Sequence, residues 1–172
     1  MELRVASALK QPGETFSATL TQELSPQKYC GRKVAFAKPV ELEFAYSFDG
    51  KAFTLNGRLQ ADLLSRCARC DEAFTETLII PVSERFVKGA VGNDEEDSYT
   101  FDGDTLDLTP MVMDNLFLHM PISSVCSDDC RGLCPICGCN LNTAQCACER
   151  EDAEKAPPLS SLGQLLNDGK EV

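Results

Sequence analysis

The sequence predicts an α+β fold: an N-terminal antiparallel β-sheet or small barrel, one short helix, and a C-terminal cysteine-rich zinc-binding module. Three observations predict it. Apolar and polar residues alternate through much of the first 90 positions. A proline-primed helical stretch starts near residue 109. Seven of the ten cysteines fall between Cys126 and Cys148. The 172 residues suit one domain, or one domain plus a small module. The expected boundaries are 1–90 for the β-rich domain, 91–104 for an acidic flexible loop, and 105–122 for a helix packing on the sheet. The cysteine module then takes 123–150, and a tail with a short leucine-bearing helix takes 151–172.

Within the β-rich part, Glu2 to Ala8 and Thr15 to Leu24 are the weaker strand candidates. Val40 to Phe48 is the clearest, with Val40, Leu42, Phe44, Tyr46 and Phe48 on one face. Asp49-Gly50 follows, a tight-hairpin dipeptide. Ala52 to Leu64 reads as the returning strand, with Phe53, Leu55, Gly57, Leu59 and Ala61 on one face. Phe74 to Val87 predicts a further strand interrupted near Pro81. Gly89 to Asp97 reads as a mobile acidic loop, because like charges repel and glycine resists order. Asp107-Leu108-Thr109-Pro110 predicts a helix start, with Thr109 as cap and Pro110 in the first helical position. Met111, Val112, Asn115, Leu116 and Leu118 fit its packed side, and the helix ends before Pro121. In the tail, Ser160 could cap a last helix whose Leu162, Leu165 and Leu166 dock on the core or on a partner.

The net charge of −11 is unevenly spread. Residues 1–91 hold 12 Lys/Arg against 11 Asp/Glu, whereas 92–172 hold 4 against 16. The second half therefore lacks the basic balance of a nucleic-acid binder. RNA contacts are expected in the first half, with Arg58, Arg66, Arg69, Arg85 and Lys88 as candidates, or else the partner is a basic protein. The bland reading of those side chains is a solvated face. No apolar run approaches the roughly 20 residues needed to span a bilayer, and the N-terminus lacks a signal-peptide pattern. A cytoplasmic location is expected, where reduced thiols favour metal over disulfides.

The cysteines fall into pairs: Cys67/Cys70, Cys126/Cys130, Cys134/Cys137 and Cys146/Cys148, with Cys30 and Cys139 apart. Cys134-Pro135-Ile136-Cys137-Gly138 is a knuckle that points two sulfurs at one centre. Eight paired ligands suffice for two four-cysteine zinc sites. One would join Cys134, Cys137, Cys146 and Cys148. The other would join Cys67, Cys70, Cys126 and Cys130, tying the sheet to the module. A single site drawn from the paired cysteines of 126–148 is the rival. A redox role for Cys67/Cys70 lacks the usual βαβ setting. An iron–sulfur cluster also uses four cysteines, but the proline-glycine knuckle suits zinc better. Cys139 reads as an occasional ligand and Cys30 as an ordinary small residue. The one histidine, His119, has no nucleophile arranged beside it. Neither a phosphate-cradling loop nor a dinucleotide fingerprint is present, so a non-enzyme is expected.

Cys67-Ala-Arg-Cys70, Asp107-Leu108, Leu118-x-x-Pro121, Cys126-x3-Cys130-Arg-Gly-Leu-Cys-Pro-Ile-Cys-Gly-Cys-Asn-Leu-Asn142 and Cys146-Ala-Cys148 resemble one set. They are similar to the YceD-like family, the large ribosomal RNA subunit accumulation proteins, over roughly Leu42 to Cys148. The resemblance implies a non-catalytic ribosome biogenesis factor promoting synthesis, processing or accumulation of large-subunit ribosomal RNA. It implies a partner that is an rRNA precursor, a basic ribosomal protein or an assembly factor. It also maps the family's cysteines to Cys67, Cys70, Cys126, Cys130, Cys134, Cys137, Cys146 and Cys148, with one or two structural Zn2+ ions. Cys139 stands as an addition in this chain. The alternative is a thiol-based zinc or redox handling protein.

Overall fold

The computed structural model describes residues 1–29, 31–89 and 98–148, with Arg32 given as backbone alone. Its elements are β1 (Glu2–Arg4), α1 (Ala6–Lys10), β2 (Thr15–Gln22), β3 (Gln27–Tyr29), β4 (Arg32–Phe36), β5 (Val40–Phe48), β6 (Ala52–Arg66), β7 (Ala73–Lys88), β8 (Tyr99–Phe101), β9 (Thr105–Asp107) and α2 (Thr109–His119). The described residues are mostly sheet with two helices. Strands β2 to β8 form one seven-stranded sheet, and β1 pairs with β9. All pairings are antiparallel except that of β7 with β8.

Strand β6 organises the sheet. β7 lines its whole length, from Ala52↔Val87 to Arg66↔Ala73. On its other edge, β5 pairs with Phe53–Gln60 and β4 with Leu63 and Leu64. The alternation of β5 resolves as expected: Val40, Leu42, Phe44, Tyr46 and Phe48 are all buried. From β6, Phe53, Leu55, Leu59, Ala61 and Leu63 join them, and Met111, Val112 and Leu116 of α2 cover that face. Burying side chains of this size is worth about 1.5–3 kcal/mol each, which makes this face the main stabilising layer. The Asp49 carboxylate closes the β5–β6 turn by accepting the Lys51 and Ala52 amides at 2.8 and 2.7 Å.

Several expectations need correction. The N-terminal stretch is a short strand followed by helix α1. Strand β7 runs unbroken through Pro81. There β7 pairs with β6 alone, since β8 reaches only Phe86–Lys88, and an edge strand tolerates the missing amide. Helix α2 starts one residue earlier than expected, at Thr109. The N-cap position falls to Leu108, which offers no side-chain cap, while the Asp107 carboxylate one residue before it accepts the Thr109 amide at 2.9 Å. Leu118 is exposed, and Phe117 takes the packing position instead by stacking on Tyr29. Residues 98–104, grouped by sequence with the acidic loop, form β8 and a turn. The loop proper, Cys30 and the tail leucines lie outside the described residues.

Candidate metal centres

The tip of the β6–β7 hairpin is a cysteine knuckle. Arg66 pairs with Ala73, and between them the Cys67 amide donates to the Glu72 carbonyl at 2.9 Å. The Asp71 amide returns to the Cys67 carbonyl, also at 2.9 Å. The second knuckle repeats this turn. Leu133 bridges Asn140, Cys134 N–H donates to Cys139 O at 2.8 Å, and Gly138 N–H donates to Cys134 O at 2.8 Å. The residue after each Cys-x-x-Cys is left-handed, Asp71 at φ 57° and Gly138 at φ 72°. The chain thus builds one thiol-presenting turn twice.

The structure brings Cys67, Cys70, Cys126 and Cys130 together, with all four Sγ atoms within 4.8 Å of one another. Cys67 Sγ lies 3.7 Å from Cys130 Sγ, and Cys70 Sγ lies 3.7 Å from Cys126 Sγ. A tetrahedron with zinc–sulfur bonds of roughly 2.3 Å has edges of about 3.8 Å, whereas a disulfide needs roughly 2.05 Å. The two contacts, which share no atom, therefore match opposite edges of a tetrahedron. Cys67, Cys70 and Cys130 are buried, while Cys126 is exposed.

Electrostatics point the same way. The Cys67 thiol falls to about 6, chiefly through the backbone amide of Cys126, with help from those of Cys70 and Arg69. Cys130 is lowered first by the Asn142 amide, whose Nδ2 donates to Sγ at 3.3 Å. Cys126 is driven up to about 12, mainly by the neighbouring Cys67. Amides favour thiolates here, and the thiolates then repel one another. A divalent cation relieves that repulsion.

The distal group joins Cys134, Cys137, Cys139 and Cys146, again with all Sγ atoms within 4.8 Å. Cys139, set aside in the sequence reading, belongs to this tetrad. Cys148 is also close: the Cys137 thiol, followed by Cys134, pushes it up to about 12. Cys139 likewise rises to about 12, with Cys137 as the main cause. Cys134 falls to about 6 through the Cys137 and Ile136 amides. The group of four thus contains Cys139, while Cys148, paired with Cys146 in the sequence reading, stands outside it.

A backbone seam joins the two centres. Ala68 N–H donates to Ser124 O at 2.8 Å, and Leu133 N–H to Arg69 O at 3.0 Å. Arg69 Nη1 donates to the carbonyls of Asp128 and Cys130 at 3.0 and 3.2 Å. Asn142 Oδ1 accepts the Arg131 amide at 2.8 Å while its Nδ2 reaches Cys130. Sequence reasoning gave Asn142 no role. Its one signal was its place in the Asn140-Leu141-Asn142 string behind the knuckle.

The candidate RNA-contacting side chains are mostly engaged. Arg58 pairs with Glu43 at 2.6 Å, Arg66 with Asp71 at 3.1 Å and Arg85 with Asp49 at 3.8 Å. Arg69 is part of the seam, and Lys88 is exposed at the end of β7. His119 Nδ1 lies 2.9 Å from the Asn115 carbonyl of its own helix. No helix among the described residues is long and apolar enough to cross a membrane.

The sequence pattern of the family described as Large ribosomal RNA subunit accumulation protein YceD matches residues 55–166. A chloroplastic YCED homolog 1 of Arabidopsis thaliana, described as a large ribosomal RNA subunit accumulation protein, is 27% identical over 74% of this chain and 50% of its own length. An uncharacterized protein of Mycobacterium tuberculosis is 26% identical over 82% of this chain and 70% of its own. A maize protein with the same description as the Arabidopsis one is 33% identical over 33% of this chain and 20% of its own. The chain therefore spans about half the length of the Arabidopsis relative. No solved structure matches it. The matched region takes in both knuckles and every cysteine of the two tetrads, and the chain belongs to the YceD family.

Proposed function

We propose that this protein is a non-catalytic factor required for accumulation of large-subunit ribosomal RNA, braced by two structural zinc ions. Family membership supports the role in rRNA accumulation. The four-thiol tetrad, three of its members buried, supports the brace: thiolate-only zinc is closed and inert, so it stabilises structure and offers no site for chemistry. The proximal ion would be held by Cys67, Cys70, Cys126 and Cys130. The distal ion would be held by Cys134, Cys137 and Cys146, with Cys139 or Cys148 completing the set. The partner is a precursor of large-subunit rRNA, or a basic ribosomal protein or assembly factor that engages the acidic surface. Depleting the protein should lower large-subunit rRNA relative to small-subunit rRNA, read by gel quantification. An unchanged ratio refutes the role.

One observation favours the second reading, thiol-based zinc or redox handling: the distal centre is open, with Cys137 exposed and a thiol to spare. Thiol titration before and after mild chelation separates the two. Tightly held metal, with folding lost only on its removal, supports the structural brace.

A further inference from the structure

The β3–β4 hairpin carries a feature the fold does not explain. Lys28 and Lys33 stand directly opposite each other across it. Like charges in that position destabilise a strand pair. Both are exposed, and neither has an ion-pair partner among the described residues. The hairpin joins the sheet where β4 pairs with β6 at Ala35↔Leu64 and Phe36↔Leu63, and its charged end lies beyond those pairs. The stacking of Tyr29 on Phe117, rings 5.6 Å apart and 8° from parallel, fixes that end against α2.

Beside it lies a groove of about 410 Å³, lined by Lys33, Tyr29, Val34, Leu64, Arg66 and Met120 among others. That volume lies in the roughly 300–1,000 Å³ range of ligand-sized pockets. Leu64 is 53% exposed on the groove wall. An apolar wall beneath a cationic rim matches a base and its phosphate. It suits a neutral or basic peptide poorly. In a chain of net charge −11, such a local cationic rim favours a polyanion.

We propose that this groove binds single-stranded RNA, with Lys28 and Lys33 on the phosphates and the Tyr29–Leu64 wall against a base. The inference rests on the rRNA reading above and moves the contact away from Arg58 and Arg85, which pair with Glu43 and Asp49.

The test uses the full metal-loaded chain and a short fluorescein-labelled oligouridylate, followed by anisotropy across a salt series. Lys28→Glu/Lys33→Glu should weaken binding by about tenfold or more. Removing two phosphate contacts should also reduce the salt slope by about 1.4, at roughly 0.7 per contact for single strands. Lys10→Glu/Lys51→Glu changes net charge equally, away from the groove, and should alter binding less than about twofold. Equal losses in the two variants, absence of wild-type binding, or equal competition by polyglutamate overturns the proposal. So does binding that emerges only after residues 149–172 are deleted, which assigns the groove to the chain's own acidic end. Complementation separates this inference from the reading beneath it. If depletion leaves the rRNA ratio unchanged, the assembly role fails. If depletion lowers the ratio and Lys28→Glu/Lys33→Glu restores it fully, only the groove assignment fails.

Discussion

Replacing Gly132 by alanine should damage the molecule more than replacing Gly138, although the backbone is almost the same at both. Gly132 has φ +74° and Gly138 has φ +72°. Each alanine therefore meets a left-handed penalty of about 1 kcal/mol. The surroundings differ. At Gly138 an added Cβ has nothing within 4 Å, whereas at Gly132 it would lie 3.0 Å from the Arg69 carbonyl oxygen and 3.5 Å from Arg69 Cβ. That carbonyl also accepts the Leu133 amide at 3.0 Å. Relieving the contact opens the seam, and loosening its hydrogen bond costs about 1 kcal/mol more. The expected losses are about 1 kcal/mol for Gly138→Ala and about 2 kcal/mol for Gly132→Ala. At about 2–4 °C per kcal/mol for a domain of this size, Tm should fall by roughly 2–4 °C and 4–8 °C respectively. Calorimetry on the metal-loaded proteins reads the difference. A chelator titration with a metal-sensitive dye should show Gly132→Ala releasing the proximal ion more readily, with Gly138→Ala affecting only the distal one. Equal Tm losses, or an unaltered proximal ion in Gly132→Ala, would refute the seam as a mechanical link.

Elemental analysis should return two zinc ions per wild-type chain and one each for Cys67→Ser and Cys134→Ser; two ions in either variant would show that its tetrad is misassigned. Cys139→Ser and Cys148→Ser should each keep the distal ion and the double variant should lose it, whereas loss in one single variant would identify that residue as the sole fourth ligand. The Asp62 carboxyl is held below its usual range first by the Lys38 ammonium, at 2.8 Å, and then by the Thr77 hydroxyl, at 2.6 Å. Its stabilisation is thus fully present above about pH 4 and is lost as pH falls through the lowered folded pKa. The stability gap between wild type and Asp62→Asn, from urea unfolding, should stay constant from about pH 5 to 8 and close between about pH 4 and 2. A gap that widens on acidification would contradict this.

How much could be read from the sequence depended on whether a feature was local. The faces of β5 and β6 were legible because a half-buried strand forces strict alternation, and Val40 to Phe48 keeps it without a break. The three-residue strands β3, β8 and β9 were not, since tertiary pairing makes them and no periodic signal fits in three positions. Pro81 misled because its meaning depends on whether a second neighbour flanks β7. The Glu43–Arg58 pair was invisible without the register that sets those residues opposite each other. Among the cysteines, the Cys-x-x-Cys turns declared themselves locally, whereas the grouping of Cys67 and Cys70 with Cys126 and Cys130 was one of two arrangements the pairs left open, because it joins segments far apart in sequence. The fourth distal ligand did not declare itself, because spacing in so short a loop leaves open which way Cys139 and Cys148 direct their sulfurs.

The proximal tetrad does more than hold two segments together, because both walls of the groove run directly into its ligands. Leu64 to Arg66 lead into Cys67 on one side, and Met120 to Ser124 lead into Cys126 on the other. Without the ion, the hydrogen bond from Ala68 to Ser124 and the Arg69 contacts to Asp128 and Cys130 would have to hold the second wall against the first. Hydrogen bonds of this kind contribute about 1 kcal/mol each, too little to fix a loop that has no strand of its own. The β5–β6 core lies outside both thiol groups and would make no use of an ion held there. Chelation should therefore raise amide exchange across residues 120–134 and weaken oligouridylate binding, while exchange at Leu42, Phe44, Leu55 and Leu59 stays slow. Exchange rising together in both regions would show instead that the metal supports the whole fold, and the groove would lose its special dependence on the thiol brace.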